Sequence, residues 1–232
     1  MSKIKVVALT GAGISAESGL KTFRASDGLW ENHRIEDVAT PEAWHRNQEL
    51  VLAFYNERRK AARHAQPNRG HASLAEMQKE FEVVVITQNV DDLHERAGSD
   101  HIIHLHGSLF ESRSTADPSL IYPIVGDDLS SGAYCEKGSQ LRPNIVWFGE
   151  AVPMMEVAVR LAANADYFIV AGTSLQVYPA AGLIHNVPLS SSVFVVDPNA
   201  PHLSTGHSVT YFNEPATTGI DKVWKAIRKS EL

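Results

Sequence analysis

Ile4-Lys5-Val6-Val7-Ala8-Leu9-Thr10-Gly11-Ala12-Gly13-Ile14-Ser15-Ala16 is the stretch that decides the architecture of this chain. Its apolar, largely β-branched run predicts a buried strand over residues 4–9, because such side chains pack on a pleated surface covered on both faces. The glycines follow at once, in the Gly-x-Gly-x-x-Ala spacing of a dinucleotide-binding turn. In such a turn Gly11 permits the sharp bend, Gly13 admits a pyrophosphate close to the backbone, and Ala16 lets the next helix approach the sheet. A structural strand-to-helix turn is the plainer alternative.

Further strands are expected over 83–86 (Val-Val-Val-Ile), 102–105, 145–148, 167–171, 193–196 and 209–212. Helical patterns lie between several of them. Leu74, Met77 and Phe81 share a face, residues 91–97 end at Gly98, a C-terminal cap, and 154–163 and 220–228 are amphipathic. Strands alternating with helices imply an α/β fold, a parallel sheet with helices on both faces. Two stretches break the rhythm. Residues 40–64 are helical without a strand, with Thr40, Pro41 and Glu42 suited to a helix start. Residues 111–141 are polar and turn-rich, and an unstructured loop of that length is uncommon inside a compact domain. The two excursions are expected to build a small second lobe, with a ligand cleft between lobes. The boundaries are placed at 1–35, 82–110 and 142–232 for the large lobe and 36–81 and 111–141 for the small one, all within one domain of 1–232.

Composition removes other classes. With 44% apolar and 21% charged residues the 232-residue chain is globular rather than disordered. A net charge of −6 offers no bulk attraction to a polyanion, so no nucleic-acid partner is expected. No apolar run approaches the roughly 20 residues that span a bilayer, so no membrane partner is expected either. Cys135 is the single cysteine, which excludes an intrachain disulfide framework and a multi-cysteine metal site. No signal peptide is read at the N-terminus, and a reducing cytoplasm is the expected compartment.

The polar residues gather where strands end. Gln88, Asn89 and Asp91 follow the strand at 83–86, at a carboxyl end of the sheet where open α/β folds bind ligands. Their amide and carboxylate groups suit a carboxamide such as that of nicotinamide; Asn89 or Asp91 singly also suits a helix N-cap. His104 and His106 end the next strand on one face, and His106, last before Gly107, is the candidate general base. His33, His64, His202 and His207 are expected on the surface. Gly172-Thr173-Ser174 and Asp197-Pro198-Asn199 follow two more strands and offer hydroxyls and a ribose-contacting end. No second strand with an acidic end follows the glycine turn, as hydride-transfer folds require. Instead a loop carries Arg24 for phosphate, with Phe23 and Trp30 to wall off a ring.

Taken in order, Gly-Ala-Gly-Ile-Ser at 11–15, Thr-Phe-Arg at 22–24, Thr-Gln-Asn-Val-Asp at 87–91, His106-Gly107, Val-Trp-Phe-Gly-Glu at 146–150 and Gly-Thr-Ser at 172–174 resemble the sirtuins, NAD-dependent protein deacylases. The resemblance implies a Rossmann-like large lobe, a small lobe from two insertions, and NAD and an acyl-lysine protein entering the cleft from opposite sides. It places NAD against Gly11, Ala12, Gly13, Ser15, Glu17, Thr22, Phe23, Arg24, Trp30, Gln88, Asn89, Val90, Asp91, Gly172, Thr173, Ser174, Asp197, Pro198, Asn199 and Ala216. It implies that the acyl oxygen attacks the ribose carbon bearing nicotinamide, that Asn89 and Asp91 help eject nicotinamide, and that His106 then deprotonates a ribose hydroxyl. The products are lysine, nicotinamide and an O-acyl-ADP-ribose. Phe23 would guard the ribose from water, and Val146, Trp147, Phe148 and Gly149 would pair with the substrate backbone as an added strand. A monomer is expected.

Within the helical insertion, Val51, Phe54 and Tyr55 form an apolar stripe on which Arg58 also falls. A cation on such a face needs a partner or a route to solvent. Arg58 suits a substrate carboxylate, with Tyr55 adding a hydrogen bond; an arginine snorkelling past a core tyrosine is the plainer reading. Tyr-x-x-Arg is similar to the signature of the sirtuin subgroup that removes succinyl, malonyl and glutaryl groups, and Ala39 matches its pocket-widening small residue. The chain departs from most sirtuins in the second insertion, where four zinc-binding cysteines are replaced by Cys135 alone, so no metal is expected. Two other activities remain open from the residues: a non-catalytic ADP-ribose sensor and mono-ADP-ribosyl transfer.

Overall fold

The computed structural model describes residues 3–21, 30, 33–200, 202–203 and 205–231. In chain order it runs β1 (Lys5–Thr10), a 3₁₀ turn (Ala12–Ser18), α1 (Ile35–Val38), α2 (Pro41–Arg46), α3 (Gln48–His64), α4 (Arg69–Met77), β2 (Glu82–Thr87), α5 (Leu93–Arg96) and β3 (Ile102–His104). It continues β4 (Gly107–Ser114), β5 (Ile121–Pro123), β6 (Leu141–Ile145), α6 (Met155–Ala162), β7 (Tyr167–Ala171), a second 3₁₀ turn (Ala180–Asn186), β8 (Ser192–Val196), β9 (Val209–Phe212) and α7 (Ala216–Ser230).

Six parallel strands form the large sheet in the order β3-β2-β1-β7-β8-β9. Alternate residues of each strand serve two cores. Val6 and Ala8 pack with α4 and α7 through Leu74, Met77, Ile220 and Val223. Val7 and Leu9 pack with α6 and the second 3₁₀ turn through Ala158, Ala162, Leu183 and Ile184. Burial on both faces is why these strands read as continuous apolar runs. β1 pairs with β2 on one side and β7 on the other. The chain order reverses there, and the crevice at the carboxyl ends of β1 and β7 is the natural ligand site of such a sheet.

The antiparallel sheet β5-β4-β6 belongs to the small lobe, whose core joins it to α1–α3 through Trp44, Val51, Phe54, Tyr55, Leu109 and Trp147. Several expected boundaries shift. The helical stretch at 40–64 breaks at Asn47, whose side chain accepts from Leu50 N and caps α3, while Thr40 caps α2 by accepting from Ala43 N. α4 does not belong to the small lobe; its Leu74 and Met77 lie fully buried against the large sheet and α7. Residues 107–110 and 142–145 go the other way, as strands of the small sheet. The strand expected at 145–148 ends at Ile145. Ala16 is exposed on a short 3₁₀ turn and packs no helix against the sheet.

No metal-ligand cluster of three or more His, Cys, Asp or Glu side chains occurs among the described residues. The second insertion is held from α3. Arg59 is fully buried and donates to the carbonyls of Leu109 (2.5 Å) and Asp127 (2.7 Å) and to Asn56 Oδ1 (2.7 Å). Asn56 pairs with the backbone of Leu129 in both directions, and Arg63 bonds the Gly126 carbonyl and the Asp127 carboxylate. One helix face thus satisfies the polar backbone of a loop that has no ladder of its own. Cys135 donates to Ser114 Oγ (3.4 Å) and bonds Ser139 Oγ (3.2 Å), while Ser114 Oγ accepts from the backbone N–H groups of Ala116 and Asp117.

Candidate active site

The turns after β1 and β7 close on each other at the switch point. Gly11 N donates to the Ala171 carbonyl and Gly13 N to the Gly172 carbonyl. A Cβ on Gly11 would lie 2.7 Å from Thr173 Cβ, and one on Gly13 would lie 2.7 Å from Gly172 Cα. Gly11 has extended backbone (φ −128°, ψ −174°), so no special conformation demands glycine there. The close approach of the two turns requires both glycines; the sharp bend expected at Gly11 is not what requires glycine there, since its backbone is extended. Gly172 needs glycine doubly, with φ +63° and its missing side chain directed at Ile14 N.

Ser15, on the 3₁₀ turn, meets Asn89 and Asp91 from the end of β2. Asn89 Nδ2 donates to Ser15 Oγ (3.1 Å), and Ser15 Oγ donates to Asp91 Oδ2 (3.1 Å). Asp91 Oδ1 accepts from Leu93 N (3.2 Å), so this carboxylate also closes the turn into α5. A residue that sequence reasoning overlooked completes the group. His71, at the third position of α4, is fully buried, and its Nδ1 accepts from the backbone N–H of Asn68 (3.3 Å). A backbone N–H only donates, so the His71 proton sits on Nε2, 3.3 Å from Ser15 Oγ. Ser15 Oγ therefore accepts from His71 and Asn89 and sends its one proton to Asp91. Burial pushes His71 down to about 4 and keeps it neutral; burial also raises Asp91. The signal available in sequence was Asn68 as a helix N-cap with a side chain three residues on able to reach back.

His106 stands at the end of the next strand. Its Nδ1 lies 3.0 Å from the Gln88 carbonyl, which only accepts, so Nδ1 carries the proton and Nε2 the lone pair. Burial lowers its affinity for a second proton, with the Gln88 carbonyl opposing. A neutral imidazole in this tautomer has its Nε2 lone pair available to accept a proton. Gln88 Nε2 reaches Thr173 Oγ1 (3.1 Å), tying this strand end to β7. His104 shares none of this: its Nε2 meets Glu95 (2.6 Å) and its Nδ1 donates to the Asn89 carbonyl. Burial works against its charged form, yet Glu95 raises its pKa overall.

These groups line one cleft of ≈ 960 Å³ between the lobes. Gly11, Ala12, Gly13, Ser15, Trp30, Gln88, Asn89, Val90, Asp91, His106, Gly172, Thr173, Ser174, Asp197, Pro198 and Asn199 all border it. So do Ala39, Tyr55, Arg58, Val146, Trp147, Phe148 and Gly149 from the small-lobe side. Thr22, Phe23 and Arg24 lie outside the described residues. Glu17 and Ala216 are placed elsewhere: Glu17 is exposed and accepts from Thr217 Oγ1 (2.5 Å), and Ala216 is buried at the start of α7. His33, expected on the surface, borders the cleft with its ring edge-on to Phe54.

Arg58 lies with its guanidinium 4.0 Å from the Trp30 ring centroid and 5.7 Å from that of Phe54. Tyr55 is fully buried, and Trp147 Nε1 donates to its hydroxyl (3.0 Å). The N–H groups of Val146, Trp147 and Phe148 are each used within the fold, by His106 O, Glu150 Oε2 and Ala39 O.

Fold and site together define a class: a parallel-sheet α/β chain with a cleft at its switch point, lined by polar strand-end groups and a neutral imidazole. The chain belongs to the Sir2 family, whose profile matches residues 11–179. It is 50% identical over 223 residues to the NAD-dependent protein deacylase of Bacteroides thetaiotaomicron, covering 94% of this chain and 95% of that one. Among solved structures it resembles a Sir2 homolog–NAD complex (TM-score 0.86, 39% identity, 98% of this chain and 91% of the other). It also resembles Sir2 bound to acetylated peptide (TM-score 0.80, 30% identity, 97% and 94%).

Proposed function

We infer that this chain is an NAD-dependent protein deacylase and that it removes succinyl and malonyl groups from lysine in preference to acetyl. The observation that carries the reading is the placement, in one cleft, of a neutral His106 with a free Nε2 and of Arg58 and Tyr55 at the small-lobe wall. The names and bound ligands of the relatives support the deacylase chemistry.

The residues present suit NAD. Asn89 and Asp91 present an amide and a carboxylate to a carboxamide, and Thr173, Ser174 and Asp197 present hydroxyls and a carboxylate to sugar hydroxyls, all at neighbouring strand ends. The volume is at the upper end of ligand sites, about 300–1,000 Å³. NAD supplies a ribose carbon activated by nicotinamide as leaving group. The protein's own part is proton handling and orientation. His106 takes a hydroxyl proton at Nε2 while Gln88 O holds its other nitrogen protonated. The Ser15 hydroxyl, polarised by His71 and Asn89, keeps Asp91 an acceptor at its inner oxygen. Arg58 pairs with the acyl carboxylate, and buried Ala39 leaves room for the longer chain.

Acetyl-, succinyl- and malonyl-lysine peptides, each with and without NAD, test the reading by nicotinamide release and peptide mass. NAD-dependent turnover with kcat/KM higher for the acidic acyl groups is expected. Equal or acetyl-favoured turnover refutes the acyl preference. Nicotinamide release with label transferred to protein, or no turnover at all, refutes deacylation in favour of ADP-ribosyl transfer or an ADP-ribose sensor.

A further inference from the structure

We propose that Trp147 is a positioning residue for acyl selectivity: its indole N–H occupies the Tyr55 hydroxyl oxygen and so reserves the one hydroxyl proton for the carboxylate of an acyl chain in the cleft. The proposal rests on the acyl reading above and gives it a directional cause.

Trp147 borders the cleft within the segment matched to substrate-backbone pairing, yet its side chain is 2% exposed and turned into the small-lobe core. An indole N–H is a donor only. At 3.0 Å from the Tyr55 hydroxyl it makes that oxygen an acceptor. Trp147 is the only group that bonds this hydroxyl among the described residues, which leaves its O–H as a donor still to be used. Burial raises the Tyr55 pKa, so the phenol keeps that proton at neutral pH. Arg58, one turn further along α3, then supplies charge while Tyr55 supplies a directed hydrogen bond.

The indole is itself fixed from two sides. Its backbone N–H donates to Glu150 Oε2 (2.8 Å), and the Arg142 guanidinium lies 3.2 Å from its ring centroid. Arg142 is held by Glu150 through bonds of 2.7 and 3.0 Å, and Arg113 adds a third cationic contact to the same carboxylate. A buried ion pair thus forms a platform under the indole. Its geometry reaches the Tyr55 hydroxyl as a hydrogen bond through the Trp147 N–H.

Trp147→Phe keeps an aromatic face on Arg142 and removes the N–H. The ratio of kcat/KM for succinyl-lysine over acetyl-lysine peptide is expected to fall about fivefold, carried by KM, as the loss of roughly one hydrogen bond requires. Tyr55→Phe should lower the same ratio, and the double variant should fall no further than Tyr55→Phe alone. Equal losses for both substrates, or losses that multiply in the double variant, overturn the proposal. Where Trp147→Phe does not fold, the indole N–H resonance of the wild type carries the test. It should move when succinyl-lysine peptide binds, more than with acetyl-lysine peptide, and not in Tyr55→Phe; an indole indifferent to the acyl group overturns the proposal. Arg58→Met separates the two failures. If it abolishes the succinyl preference and Trp147→Phe does not touch it, the proposal alone has failed. If the wild type has no preference, the acyl reading has failed and the proposal with it.

Discussion

Neighbouring arginines on α3 should respond oppositely to the same substitution. Arg59 is fully buried and makes three hydrogen bonds, to the carbonyls of Leu109 and Asp127 and to Asn56. Arg59→Met leaves the Leu109 and Asp127 carbonyls without their donor, while Asn56 Oδ1 keeps the Leu129 N–H. Unsatisfied buried acceptors cost about 1–3 kcal/mol each, and release of a guanidinium from burial offsets part of this. A net loss of about 3 kcal/mol is expected, or roughly 6–12 °C in Tm at this chain length. Arg58→Met removes a group stacked on Trp30 at the cleft. Its expected effect is a fall of about tenfold or more in kcat/KM for succinyl-lysine peptide, with a loss of charge-assisted binding of roughly 1.5–3 kcal/mol and a far smaller change in Tm. Urea or thermal unfolding of both variants, followed by the peptide assays, makes the comparison. An Arg59→Met protein with unchanged Tm would refute the view that α3 clamps the second insertion.

Two further predictions concern pH. Burial lowers the His106 pKa from 6.5, and the proposed chemistry needs its neutral form, so the acid limb of kcat/KM should be centred below 6.5; an acid limb centred at or above 6.5 would contradict the Nε2 base, and His106→Asn should cost about 10²–10⁴-fold. His71 is held at about 4 in the fold against 6.5 when unfolded, so the unfolded chain binds the proton first and stability is lost as pH falls from 6.5 towards 4. That contributes about 3 kcal/mol by pH 4, and His71→Asn should remove this part of the acid sensitivity in urea unfolding at pH 7 and pH 4.5 while leaving the carboxylate contribution common to both proteins.

The large sheet was legible in sequence because its strands are buried on both faces. Val83-Val84-Val85-Ile86 and the run at 167–171 cannot alternate with polar residues in such a place, and they appear where expected; the edge strand at 209–212 appears too, with Thr210 exposed. The strand-end clusters were legible for the same reason: a polar triplet after an apolar strand has only the crevice to face. His71 was not, because its role depends on α4 crossing 56 residues of sequence to meet Ser15.

By itself, then, the order of residues determined which segments are buried, where the sheet's open edge lies, and that an imidazole, an amide and a carboxylate meet there. Periodicity reports that a side chain is covered; it is silent on what covers it. Arg58 and Arg59 both fall on the buried side of α3, and Leu74 and Met77 on the buried side of α4, with no local mark of which lobe each one joins. Only the tertiary structure sent Arg59 to the loop carbonyls, left Arg58 at the cleft, laid α4 on the large sheet, and turned the Trp147 indole towards Tyr55. Those choices are contacts between segments far apart in the chain, decided by which pairing satisfies every buried donor and acceptor at once.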